Sequence, residues 1–254
     1  MDDKPLTGST ILVAGSEDRV PVLTQALTRE GASVIPFPTV RIVPPEDLGP
    51  LDEAIRTWAS FDWIVFTSAH GVTAVAERAR ILHVDLRKTR GRIAAVGPVT
   101  RAALQRNGLP ADVVPAEYLT DAIAGVMGDV AGKRILLPRS RLSRQSLPDT
   151  LTSRGAEVVQ VNAYDAVPSP SQPEAPLAPS IDFVVFTSPS SVENLTALIP
   201  EKDFVRLLER TPAAAIGPVT AEAARLLGFR IALVAPEHTI DGLVRSLVEL
   251  RSHE

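Results

Sequence analysis

Apolar residues fall along this chain in two alternating rhythms. Short runs rich in Val, Ile, Leu and Phe, bounded by turn residues, occupy 10–13, 63–66, 93–96, 135–137 and 183–186. Such runs predict strands buried on both faces. Between them the spacing becomes that of one helical face, as at Leu23, Ala26, Leu27 and Glu30 and again at Leu243, Val244, Leu247 and Val248. Gly31, Gly108, Gly155 and Gly228 stand where those helices should stop. Strands alternating with helices predict an α/β fold built on parallel sheets with both faces covered.

The pattern occurs twice. Asp62-Trp63-Ile64-Val65-Phe66-Thr67-Ser68 returns 120 residues later as Asp182-Phe183-Val184-Val185-Phe186-Thr187-Ser188. In the same register Ala95-Val96-Gly97-Pro98-Val99-Thr100 returns as Ala215-Ile216-Gly217-Pro218-Val219-Thr220, Gly108 as Gly228 and Asp121 as Asp241. Upstream the offset is 124: Ile11-Leu12-Val13, Gly31-Ala32, Val34 and Pro44 match Ile135-Leu136-Leu137, Gly155-Ala156, Val158 and Pro168. The length change therefore lies between Pro44 and Asp62, in a surface connection of the kind that tolerates insertion. Each copy reads β-α-β, connector, β-α-β-α-β-α.

Two proline-rich stretches, 36–50 and 168–179, hold five prolines each and read as semi-rigid links. If the chain crosses between domains there, one domain is 1–36 plus 170–254 and the other 46–160, with 37–45 and 161–169 as interdomain connectors and five strands in each domain. A sequential split near residue 130 also gives five strands each, but only Gly132 offers a break there.

Composition narrows the picture. A chain of 254 residues is long enough for two cores, and 45% apolar with 22% charged residues is ordinary for a soluble globular protein. The formal charge of −4 opposes general nucleic-acid binding. Having no cysteine excludes disulfides, thiolate metal sites and cysteine nucleophiles. With no apolar run of bilayer length and an acidic start at Met1-Asp2-Asp3, the expected setting is the cytoplasm, without membrane contact.

Candidate chemistry follows from the topology. Ligands of open parallel sheets gather at the carboxyl ends of strands, where helix N-termini present unpaired N–H groups. Thr67-Ser68, Thr187-Ser188 and Ser190 fall there, as do the two Gly-Pro-Val-Thr turns with Thr100, Gly217 and Thr220. Two such sets facing one cleft suit an anionic ligand, although serine and threonine at these turns also serve as helix caps. Lys133, Arg134, Arg139, Arg141 and Arg144 form a basic stretch in which Arg139, at a strand end, is placed for carboxylates or phosphates. His70, His83, His238 and His253 share no metal-ligand spacing and read as polar surface positions. No glycine-rich phosphate loop, nucleophile elbow or acidic metal cluster occurs. Tyr164, one of two tyrosines, lies in the second connector, where interdomain packing is the plain alternative to chemistry.

These residues resemble the uroporphyrinogen-III synthases. The likeness spans nearly the whole chain: the Ile-Leu-Val strand and its helix ending Arg29-Glu30-Gly31-Ala32, the Phe-Thr-Ser-x-x-x-Val segments at 66–72 and 186–192, both Gly-Pro-Val-Thr turns, the Pro-Arg-x-x-x-x-Arg segment ending at Arg144 and the Val-x-x-Tyr of 161–164. The resemblance implies two flavodoxin-like lobes joined by a two-stranded β-ladder, with an active site between them. It also implies a monomeric enzyme, a hydro-lyase without cofactor or metal, that closes the linear tetrapyrrole hydroxymethylbilane to uroporphyrinogen III. Ring D is inverted and water is lost. Tyr164 is then the expected catalytic residue, assisting departure of the hydroxyl. Ser68, Thr100, Ser188 and Thr220 carry over as substrate-binding positions, joined by Arg139, Thr187, Ser190 and Gly217. One departure stands out: where the family's first strand runs into Thr-Arg-Pro, this chain has Ala14-Gly15-Ser16, and Arg19, the next arginine, is at a different spacing.

A non-catalytic synthase-like module that senses a tetrapyrrole or another polyanion is the alternative, motivated by that missing arginine. Some synthase-like proteins carry an appended DNA-binding domain, and if Glu254 is the natural end none is expected here, which favours the enzyme. A two-lobed receptor would call for export.

Overall fold

The computed structural model describes residues 4–116, 122–170 and 180–252. Asp121, His253 and most of the second proline stretch lie outside them. The chain divides into two compact units, Met1–Arg41 with Val167–Glu254, and Ile42–Ala166, so it leaves the first unit and later returns to it.

In the discontinuous unit the strands are β1 (Thr10–Ser16), β2 (Ser33–Val43, ending just past the unit boundary), β7 (Phe183–Phe186), β8 (Ala213–Ala215) and β9 (Ile231–Val234). They run parallel in the order β2-β1-β7-β8-β9. Side-chain alternation divides the apolar runs between two layers. Ile11, Val13, Phe183, Val185 and Ala214 pack against α1 (Arg19–Arg29) and α10 (Ile240–Ser252) through Leu23, Leu27, Leu243 and Leu247. Leu12, Ala14, Val184, Phe186 and Ala213 meet α7 (Pro189–Leu198), α8 (Glu201–Arg210) and α9 (Pro218–Leu226) through Val192, Leu195, Leu207 and Ala224. Both faces are dry, which is why the strands carry no polar alternation.

The continuous unit repeats the plan with β3 (Trp63–Phe66), β4 (Arg92–Ala95), β5 (Arg134–Ser140) and β6 (Glu157–Pro168, reaching just past the boundary), parallel in the order β4-β3-β5-β6. One layer holds Ile64, Phe66, Ile93, Ala95 and Leu136 against α2 (Gly49–Arg56), α3 (Ala69–Ile81) and α4 (Pro98–Arg106). The other holds Trp63, Val65, Ala94, Ile135 and Leu137 against α5 (Ala122–Val126) and α6 (Ser146–Ser153). A fifth strand was expected in this unit. Among the described residues it is reduced to a single bridge, Ala94 to Val113, beside which the Asp112 carboxylate accepts the Ile93 N–H.

The first proline stretch is not a link over its whole length. Residues 36–43 continue β2, with Phe37 and Thr39 fully buried, and 161–168 likewise belong to β6. The four helix-stopping glycines, Gly31, Gly108, Gly155 and Gly228, all have φ between 71° and 97°, the left-handed region that a side chain disfavours.

The repeated aspartates are structural. Asp62 accepts the N–H of Arg134 and Asp182 that of Thr10, each fastening the start of the neighbouring strand. A carboxylate bonded to a backbone N–H is worth about 1.5–3 kcal/mol. Asp182→Ala should therefore lower the urea midpoint of the discontinuous unit, by about that free energy, while Asp182→Asn, which keeps an acceptor oxygen, loses less; equilibrium unfolding followed by circular dichroism measures both.

Candidate functional site

At the carboxyl end of the continuous unit's sheet, β3 delivers Ser68 to the N-cap of α3, where its hydroxyl accepts the Gly71 N–H at 3.1 Å. Gly71 is closely approached: a Cβ there would stand 3.1 Å from the carbonyl oxygen of Pro138, which would have to give by a few tenths of an ångström. The same Ser68 Oγ lies 2.9 Å from the hydroxyl of Tyr164. The His70 ring, one residue into α3, is 5.6 Å from that of Tyr164.

Tyr164 reaches this place through a β-bulge. Against β5 the register runs Arg139 to Asn162, then Ser140 to Tyr164, skipping Ala163. Ala163 and Tyr164 consequently both pack on the core beneath α3, although simple alternation would put them on opposite faces. The other copy has the same slip, with Gly15 opposite Pro38, Ser16 opposite Val40 and Thr39 skipped. Tyr164 and Val40 are thus equivalent, as are Arg139 and Gly15.

Arg139 sits at the strand end but is only 7% exposed, and its two terminal nitrogens donate to Gln160 Oε1 and to the carbonyl of Arg144. Burial lowers its pKa from the ordinary arginine value, and the charge of an ionised Tyr164 phenol would act against that shift. Its visible work is to hold the loop after β5. Of the other basic residues in that stretch, Lys133, Arg134 and Arg141 pair with Asp62, Glu157 and Asp165.

In the discontinuous unit Ser188 caps α7 within a reciprocal capping box: its hydroxyl accepts the Ser191 N–H and the Ser191 hydroxyl accepts the Ser188 N–H. Ser190 Oγ is 3.2 Å from Ser188 Oγ. The Thr187 hydroxyl, expected to meet a ligand, is enclosed instead, with no hydrogen-bond partner, and the residue is 2% exposed. Its carbonyl accepts from Arg19 at 3.3 Å. Gly217 begins α9, and the His238 ring lies against it so closely that a Cβ would come within 3.2 Å of Cδ2.

The hydroxyls thus fall into two groups. Ser68 and Ser188 cap helices, whereas Thr100 and Thr220, on the first turns of α4 and α9, cap nothing: the N-caps are Gly97 and Gly217, with no side chain to offer. Val99 and Val219, beside them, are exposed, so each donor set has an apolar flank. Two histidines that the sequence reading placed on polar surface without a role, His70 and His238, stand at these sheet ends; a search for metal-ligand spacing could not find them. Among the described residues no group of carboxylates and histidines could hold a metal ion, and no helix is long and apolar enough to cross a membrane.

Hydroxyls, helix N-termini and exposed valines thus gather at the carboxyl ends of the parallel strands of an α/β protein. Comparison with known proteins makes this specific. The family model for uroporphyrinogen-III synthase HemD matches residues 21–245. The uroporphyrinogen-III synthase of Synechococcus elongatus is 33% identical over 97% of both chains, and that of Escherichia coli 30% identical over 83% of this chain and 88% of its own. Among solved structures, a mutant uroporphyrinogen III synthase of Thermus thermophilus superposes with a TM-score of 0.71 at 21% identity, covering 97% of this chain and all of that one. The Helicobacter pylori enzyme gives 0.62 at 16% identity, covering 95% and 99%. The chain belongs to the uroporphyrinogen-III synthase family.

Ser188→Ala should cost about 1 kcal/mol of stability through the lost cap. Thr220→Val, which removes a hydroxyl that caps nothing, should leave the thermal midpoint within about 1–2 °C of wild type; differential scanning calorimetry separates the two.

Proposed function

We propose that the chain is a uroporphyrinogen-III synthase. It closes hydroxymethylbilane to uroporphyrinogen III with inversion of ring D and loss of water, a hydro-lyase acting in the cytoplasm as a monomer. Membership of the family carries the activity, and the Ser68–Tyr164 hydrogen bond carries the assignment of roles.

The terminal hydroxymethyl group leaves with help from the electron-rich pyrrole, so a mild proton donor is sufficient. Ser68 Oγ has accepted from Gly71 and retains one proton. Donating that proton to the Tyr164 oxygen leaves the phenolic proton available to the departing hydroxyl and stabilises the charge that develops as it transfers. Water departs, the substituted carbon of ring D attacks the resulting methylene, and the spiro intermediate fragments and recloses with loss of a proton. Most of the protein's contribution is positioning. Ser190 and the N–H groups of α4, α7 and α9 are the donors for the substrate carboxylates, with the largely buried Thr100 and Thr220 on the first turns of α4 and α9 in support, and Val99 and Val219 offer apolar surface to the pyrrole rings.

Given hydroxymethylbilane, the purified protein should yield the type III isomer, resolved chromatographically after oxidation. Type I alone, the product of unassisted closure, would refute the activity and leave the non-catalytic module. Tyr164→Phe should lower kcat by about a hundredfold, at the low end of what proton donation contributes; unchanged turnover would reduce Tyr164 to packing.

A further inference from the structure

The two copies solve one problem differently. In the continuous unit the bulge position at the end of β5 is Arg139, a cation supplied by the strand itself. Its equivalent at the end of β1 is Gly15, where a Cβ would lie 2.4 Å from Oγ1 of the enclosed Thr187, so a side chain there would displace that of Thr187. The space above β1 and β7 is nevertheless served by a guanidinium. Arg19, the first residue of α1, reaches back across the strand end and donates through one terminal nitrogen to the Thr187 carbonyl.

The state of the two arginines differs. Arg139 is buried, with both terminal nitrogens taken by neutral acceptors, so it holds a loop. Arg19 is only half-buried and has one hydrogen bond, to a carbonyl that leaves its charge uncompensated; among the described residues it forms no ion pair. The neighbouring Glu17 carboxylate accepts from Ser169. A guanidinium presents five N–H donors in a fork that matches a carboxylate. One donor holds the Arg19 head at the end of β7, just before α7 with Ser188 at its N-cap, and among the described residues no other donor of the fork has a hydrogen bond.

We propose that Arg19 is a carboxylate anchor of the discontinuous unit, binding an acidic side chain of the tetrapyrrole beside the α7 N-terminus, and that Gly15 is required so that Thr187 can offer the carbonyl that orients it. The substrate class rests on the synthase reading, and Arg19 acts in binding rather than in proton transfer. Removing one charge-assisted contact weakens binding by about tenfold.

The probe is uroporphyrin III, the stable octacarboxylate, titrated calorimetrically into wild type, Arg19→Gln and Arg19→Lys at low and moderate salt. Arg19→Gln should raise Kd by about tenfold and flatten its salt dependence, Arg19→Lys should restore most of the affinity, and thermal midpoints should show all three folded. In turnover, KM for hydroxymethylbilane should rise in parallel with kcat held within about twofold. An Arg19→Gln Kd within twofold of wild type, or no wild-type binding of uroporphyrin, overturns the anchor. Formation of type I product alone by wild type would instead remove the synthase reading, while the calorimetric comparison still decides Arg19.

Discussion

Short parallel strands buried on both faces constrain everything else in this molecule. With Leu12, Val13, Val184, Val185, Ile64 and Val65 enclosed on one side or the other, the middle of each sheet has no room for a polar side chain without a buried partner. Polar chemistry is displaced to where the strands end and helices begin. There the unpaired N–H groups of α3, α4, α7 and α9 need acceptors, and Ser68 and Ser188 are held by that need. The same hydroxyl that closes a helix in one unit touches Tyr164, so a capping requirement and the contact on which the proposed proton donor depends coincide in a single atom, Ser68 Oγ.

The duplicated bulge shows how one architecture can be kept while its chemistry diverges. Both copies skip one residue at the end of the first strand pair, Thr39 in one and Ala163 in the other, and so turn the next side chain onto the covered face. In one copy that side chain is Tyr164 and in the other Val40. On the opposite strand the pair is Arg139 and Gly15. The backbone solution is shared, and the two copies differ in the residues they place on it.

Much of this was legible in the sequence because local physics repeats with the chain. The glycines that stop helices, the strand and helix periods, and the two motif registers follow from backbone sterics and burial that act over a few residues. The repeat also preserves purely structural features. Asp62 and Asp182 recur because each fastens a neighbouring strand, and Thr187, expected to meet a ligand, recurs beside Ser188 although its hydroxyl is enclosed. Prolines at 36 and 38 mark the stretch in which the chain passes between units, and there it is strand β2, with Phe37, Thr39 and Val40 buried.

The sequence by itself determined the α/β class, the duplication, the strand-end location of the hydroxyls and the family, all of which depend on order and spacing along one chain. Only the tertiary structure decided which hydroxyls cap and which do not, that Tyr164 meets Ser68, that Arg139 is buried and Arg19 half-open, and that His70 and His238 stand beside the sheet ends. Those relations join residues up to 168 positions apart, as Arg19 and Thr187 are, and arise from strand register, a bulge and the absence of a single Cβ at Gly15. Spacing in sequence does not record them.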